Sequence, residues 1–219
     1  MDATTIHAKI YSGRAKAALR LGIDYKVMRP VSADDPLTNH VATTKVALNS
    51  GDNTYAKPNL YGDAVWYADM DGRLTRSGDY LVHSTAPTDV RFIAAQQLLL
   101  PVVCIECNRR VRVSRQASNV AVGEVSYSGA TTDNETNILG ASALWPASIL
   151  FGGKSQSESM LPTSAKRTGW RILLPSSVPA GVVITASDII TDDLGRRYIV
   201  DGAELSDMGW RINANELHT

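Results

Sequence analysis

Between residues 169 and 212 the chain reads GWRILLPSSVPAGVVITASDIITDDLGRRYIVDGAELSDMGWRI, and its punctuation allows little besides short strands joined by turns. Trp170, Ile172 and Leu174 alternate with Arg171 and Leu173, a period of two that puts successive side chains on opposite faces of a strand. Pro175, Pro179 and Gly181 break the chain before a second apolar run, Val182, Val183 and Ile184. A strand at 188–191 then enters the turn Asp192-Asp193-Leu194-Gly195. There Gly195 can take φ > 0, so 197–200 returns antiparallel and 209–212 adds a last strand.

The rest of the chain follows the same rule with one exception. Ile6, Ile10, Ala17, Ala18 and Leu21 recur at near-helical spacing between Lys9, Arg14, Lys16 and Arg20, and Gly22 supplies a stop. This predicts one amphipathic helix over 5–21 that packs on a partner or on the β part of its own chain. Residues 25–59 carry Pro30, Pro36, Gly51 and Pro58 and read as an extended arm or long loop with a short strand at 41–48. From Ala64 strands return, at 65–68, 73–75 and 78–82, while 92–100 fits a strand or a short helix. A longer strand spans 102–113, with Val103, Ile105 and Cys107 on one face. Residues 118–166 are rich in Gly, Ser, Thr, Ala and Asn and read as linker with long loops around an apolar island at 144–150. An echo links 66–82 to 188–200: an acidic turn, Gly-Arg, then an exit strand with tyrosine. Related hairpins and ordinary hairpin chemistry explain it equally well.

The text GVVITASDIITDDLGRRYIV, followed by its return strand, resembles the small β-barrel head-tail joining and head-completion proteins of tailed bacteriophages. In that group a "GD" or "SD" step enters a strand and "RRYIV" leaves the following turn. YSGRAKAA at 11–18, YKVMRP at 25–30 and FIAAQQLLLP at 92–101 look like an uncharacterised phage and prophage structural family, a resemblance spanning nearly the whole chain. It implies membership of a virion and carries no catalytic assignment.

The composition is compatible with that role. At 219 residues and 44% hydrophobic content the chain can bury a core, and its formal charge of zero gives no global attraction to nucleic acid or membrane. No run reaches the roughly 18 apolar residues that span a bilayer, and the start, Met1-Asp2-Ala3-Thr4, has neither the basic residues nor the apolar core of a secretory signal.

Candidate chemistry is sparse. Cys104 and Cys107 have the spacing of half a zinc site or a redox pair, but there is no second pair. His7, His40, His83 and His218 are scattered, and a strand points residues 104 and 107 to opposite faces. Structural cysteines are expected. Asp69, Asp71, Asp192 and Asp193 sit beside turn glycines, where aspartate accepts backbone hydrogen bonds. The serines around Glu158 form no nucleophile elbow, and no Gly-rich loop joins a strand to a helix. Arg109, Arg110, Arg112 and Arg115 crowd one strand. They fit a charge-protected edge, an acidic neighbouring subunit or phosphate, and the neutral chain favours protein over DNA. Trp66, Trp145, Trp170 and Trp210 read as core or interface anchors.

The expectation is therefore a mainly β protein of small barrel or sandwich units, with an N-terminal helix and extended arm. Its units are 1–60 (helix and arm), 61–135 (β domain) and 136–219 (loop-rich segment and C-terminal barrel meander). Its expected function is that of a non-enzymatic, ring-forming connector in the neck or tail of a tailed-phage virion, assembled in the host bacterial cytoplasm. Alternatives are a baseplate or tube-sheath connecting protein and a ligand- or carbohydrate-binding β module. No catalytic, cofactor or metal residue is expected. Partners are other copies of the chain and other virion proteins, with no membrane and no nucleic acid beyond DNA passing through. Arg109, Arg110, Arg112, Arg115, Ile6, Ile10 and Leu21 are the candidates for subunit contacts.

Overall fold

Alternating burial along short strands closes this chain into barrels. The computed structural model describes residues 2–49, 63–97, 99–116, 135–152, 169–179 and 181–217. Helix α1 (Ala3–Leu21) begins where the Asp2 carboxylate accepts the Thr5 N–H at 2.8 Å, and it lies on the first barrel through the buried Ala18. It ends at Gly22, whose N–H reaches Ala18 O at 2.7 Å. A Cβ on Gly22 would come within 2.6 Å of that oxygen and 2.8 Å of the Val46 backbone, so a close approach, not a left-handed turn, requires glycine.

Strands β1 (Ile23–Met28), β2 (His40–Asn49), β3 (Val65–Asp69), β4 (Tyr80–His83), β5 (Val90–Ala95) and β6 (Val102–Cys107) form a closed antiparallel barrel in the order β1-β2-β3-β6-β5-β4. Tyr25, Val27, Val46, Ala68, Met70, Leu81, Ile93 and Cys104 fill it. Asn108 alone separates β6 from β7 (Arg109–Gln116), so the step between barrels falls inside the segment 61–135. The second barrel uses β7 with β9 (Trp145–Phe151), β10 (Gly169–Leu174), β11 (Ile189–Asp192), β12 (Arg197–Ser206) and β13 (Gly209–Leu217). Its order is β7-β9-β10-β13-β12-β11, and β11 pairs back to β7. Strand β8 (Glu135–Leu139) lies along the same edge of β7, beyond β9.

The mainly β class with an N-terminal helix is as the sequence indicates, and several local readings change. Residues 25–49 are not arm: β1 and β2 are staves of the first barrel, held by paired neighbours despite Asp24, Lys26, Pro30 and Pro36. The strand read over 102–113 is two. At the break the Asn108 side chain donates to Ile149 O and accepts from Ile149 N, both at 2.8 Å. The island at 144–150 is β9, a central stave of the second barrel, whereas 182–184 forms no strand. Of the strands read at 73–75 and 78–82, only β4 exists, and β3 does not pair with it. The turn at Gly195 has the positive φ required of it, +79°. The serine-rich stretch 157–159 lies outside the described residues.

The two barrels have the same strand order, first-second-third-sixth-fifth-fourth, and one hydrogen-bond pattern at their seams. In the first, Gly78 (φ +90°) precedes the buried Asp79. Asp79 takes a bidentate grip from Arg29 (Nε–Oδ1 2.8 Å, Nη2–Oδ2 2.7 Å) and accepts Arg76 N at 3.0 Å. In the second, Ser187 (φ +74°) precedes the buried Asp188. Asp188 is gripped by Arg115 (2.8 Å twice) and accepts Thr185 N at 2.7 Å. Gly78 N to Ile93 O and Ser187 N to Val200 O are both 2.8 Å, while Ile93 N to Asp79 O and Val200 N to Asp188 O are both 2.9 Å. The ladders agree: Met28 faces Tyr80 as Ser114 faces Ile189. Trp66 faces Cys104 as Trp170 faces Ala214. The echo read between 66–82 and 188–200 is thus out of register, since the true correspondence sets 76–83 on 185–192.

Candidate functional site

Among the described residues, a dense polar cluster lies in the mouth of the first barrel. Arg91, only 8% exposed, donates through Nη1 to Tyr25 Oη at 2.9 Å and to Asp89, and its guanidinium lies 5.4 Å from the Trp66 ring. Tyr25 Oη donates to Asp89 Oδ2 at 3.0 Å, and Trp66 Nε1 donates to Glu106 Oε2 at 2.8 Å. Burial pushes the Tyr25 phenol up to about 12 against the pull of Arg91. The cation is bridged to Asp89, lies near the Tyr25 and Trp66 rings and faces Glu106 across the β5–β6 ladder, so the cluster plugs the barrel. The second barrel repeats it with other residues: Trp170 packs edge-on against Tyr198 (5.8 Å), whose hydroxyl donates to Asp192 at 3.1 Å. Sequence reasoning passed over Arg91. Its signal is an arginine placed where the alternation demands an inward apolar residue, beside Phe92 and Ile93.

Cys104 lies inside the first barrel and Cys107 packs on its opposite, outer face; both are free thiols. Burial pushes Cys104 up to about 12 and raises Cys107 as well, so neither is a thiolate near neutrality. No group of three or more His, Cys, Asp or Glu among the described residues could hold a metal ion. Asp71 and Asp192 do accept turn amides: Asp71 from Arg73 N at 3.1 Å, Asp192 from Leu194 N at 3.0 Å and Arg196 N at 2.8 Å. The Arg73 guanidinium beside Asp71 holds that carboxyl below its ordinary range.

The arginine strand divides by role. Arg115 is the seam clasp on Asp188, and Arg109 lies at the start of β7 with Nη1 on Asn108 O at 3.0 Å. Arg110 and Arg112 are exposed on the outer wall. On α1, Ile6 and Leu21 are exposed and Ile10 is half-buried.

The contact between barrels is the other concentrated feature. Tyr80 Oη donates to Pro146 O at 2.8 Å, and its ring meets Trp145 edge-on at 6.2 Å. Ser177 Oγ donates to Gly78 O at 2.6 Å, and Trp145 Nε1 donates to Ala33 O at 2.8 Å. Tyr80, Phe92, Ile105, Trp145, Ala147 and Val178 belong to one continuous core. The first barrel offers the outer face of its fourth to sixth strands, and the second offers a different surface, one end of β9 and the turn at 175–178. Two copies of one fold therefore meet through unlike surfaces. Comparison with known proteins finds no matching family model, curated protein or solved structure.

Proposed function

We propose that this protein is a non-enzymatic structural subunit of a tailed-phage virion, a ring-forming connector in the neck, at head–tail joining, or in the tail. The observation that carries the reading is the use of its buried polar groups. Asp79, Asp188 and Asp192 are each engaged by arginine, tyrosine or backbone amides that close the barrels, so the buried carboxylates serve architecture. The phage-like text at 181–200 contains the second seam and its hairpin. Two barrels meeting through unlike surfaces form a unit that extends head to tail, as ring subunits do. A baseplate or tube-sheath connector uses the same parts and differs in position along the tail. Mass spectrometry of purified particles, followed by labelling with an antibody to this chain, tests the reading. The chain is expected in particles, at one level of the neck or tail and in the copy number of a single ring. Its absence from particles that are otherwise complete contradicts it.

A further inference from the structure

Among the described residues, the internal repeat leaves two surfaces of this chain without their counterparts. The end of the second barrel that seats on the first is made by Trp145, Pro146, Ser177 and Val178. Ladder positions give the equivalent end of the first barrel. Tyr25 faces Thr44 and His83 as Val111 faces Trp145 and Asp192, so Thr44 and Lys45 stand for Trp145 and Pro146. After the third strand, Leu74 N bonds Asp71 O as Val178 N bonds Pro175 O, so Arg73 and Leu74 stand for Ser177 and Val178. Thr44, Lys45, Arg73 and Leu74 line one open groove of about 490 Å³ between α1 and the barrel, and Leu74 is 41% exposed there. On the other side, the receiving face of Gly78, Tyr80, Phe92 and Ile105 has its equivalents in Ser187, Ile189, Ile199 and Asn215 of the second barrel. Ser187 is exposed, Ile199 and Asn215 are half-buried, and Ile189 is already buried within the chain.

We infer that copies of this chain join head to tail by repeating the contact made between its own barrels: the 44–45 and 73–74 end of one copy seats on the Ser187, Ile199 and Asn215 face of the next. The contact is between unlike surfaces, so it propagates, and it closes a ring where the rotation allows. Charge opposes nothing here: in the groove Lys45 is bridged to Asp24 at 3.1 Å and Arg73 to Asp71 at 2.6 Å, with Lys16 beside them, while the receiving face carries the exposed Asp201, bonded to Asn215 Nδ2. Tyr80, Phe92 and Ile105 have become Ile189, Ile199 and Asn215, so the contact between chains is more polar and weaker than the one within, and association depends on concentration. This deepens the ring reading and is independent of which particle holds the ring.

Within the chain, a Cβ on Gly78 would lie 2.7 Å from Ser177 Cβ. The repeated contact therefore brings residues 187 and 73 of neighbouring copies to disulfide range. Full-length Arg73→Cys and Ser187→Cys are prepared separately and as a double variant, and each is treated with a mild oxidant at rising concentration. Both sites are exposed, and circular dichroism checks each fold. The mixture of single variants is expected to give a covalent dimer on a non-reducing gel, and the double variant a ladder. Each single variant alone is expected to stay monomeric, since Cys104 and Cys107 are buried or half-buried with raised thiols. A folded double variant without a ladder, or dimers as abundant in either single variant alone, overturns the contact. Presence of the chain in particles is scored separately, so failure here leaves the virion reading to its own test.

Discussion

The two barrels share one closure and differ in what their outer walls do. In the first, the wall of strands four to six is apolar, with Tyr80, Phe92 and Ile105 covered by the second barrel. In the second, the same wall carries the exposed Asn213, the half-buried Asn215 and Ile199, and the buried Ile189. The seams are bonded almost identically, with equivalent hydrogen bonds agreeing to within 0.3 Å. The clasp therefore belongs to the fold, and the wall records each barrel's position in the chain. The first barrel depends on its neighbour for burial.

The largest expected effect comes from removing residues 1–60. This deletes β1, β2 and Arg29 and leaves Asp79 without its main partner, so the remainder should lose the first barrel and aggregate through its apolar wall. A soluble product with unchanged circular dichroism per residue would show that β1 and β2 are dispensable.

Next come the clasps. Asp79→Ala should cost about 3–5 kcal/mol and Asp188→Ala about 2–3 kcal/mol, measured by urea unfolding. The order follows from the partners. Asp79 holds Arg29 and lies 3.7 Å from Arg76, while Arg115 is 45% exposed and stays hydrated when Asp188 is lost. A reversed order would show that the exposure of the partners does not set the cost.

Glycine turns within the second barrel give smaller effects. Gly209 has φ +116°, and a Cβ there would meet Leu174 O at 2.4 Å, so Gly209→Ala should cost about 2–3 kcal/mol. Gly195 has φ +79° with open space around it, and Gly195→Ala should cost about 1 kcal/mol.

The last effect is alkaline and arises without substitution. Tyr25 and Tyr198 are each pushed up to about 12 by burial, from an ordinary value of 10. The folded chain prefers the neutral phenols, so their contribution is full below pH 10 and is lost as pH rises from 10 through 12. The urea midpoint should fall across that window, with phenolate absorbance rising together for both tyrosines. Phenolate of Tyr25 or Tyr198 appearing near pH 10, resolved from the other tyrosines by comparison with Tyr25→Phe and Tyr198→Phe, would contradict the burial of that mouth.

How much of this was legible in the sequence depended on whether local pattern or distant pairing decides each element. The helix, the strand at 169–174 and the 189–199 hairpin announce themselves, because caps, period and Gly195 all act within a few residues. β1 and β9 do not. Asp24 and Lys26 face solvent from a stave whose partners lie elsewhere, and Pro146 sits in β9 with its carbonyl accepting from Tyr80. Val182 and Val183 look like a strand but have no ladder to join. Of the candidate contact residues, Arg115 spends its charge within the chain, which only the antiparallel register of β7 on β11 shows. The repeat was hidden because its invariant is geometric: a positive-φ residue, an aspartate and an arginine across the seam. Glycine serves in one barrel and serine in the other.

Amide hydrogen exchange at the six seam positions tests the equivalence of the barrels most directly. Arg76 and Thr185 donate to the two aspartates, and Gly78, Ser187, Ile93 and Val200 complete the matched bonds. Each pair is expected to exchange slowly, well below the rates of the intervening Ser77 and Ala186, with both members slowed alike. Protection at Arg76, Gly78 and Ile93 with free exchange at Thr185, Ser187 and Val200, or the reverse, would show that one seam lacks the bonds of the other and that the two barrels are not one design used twice.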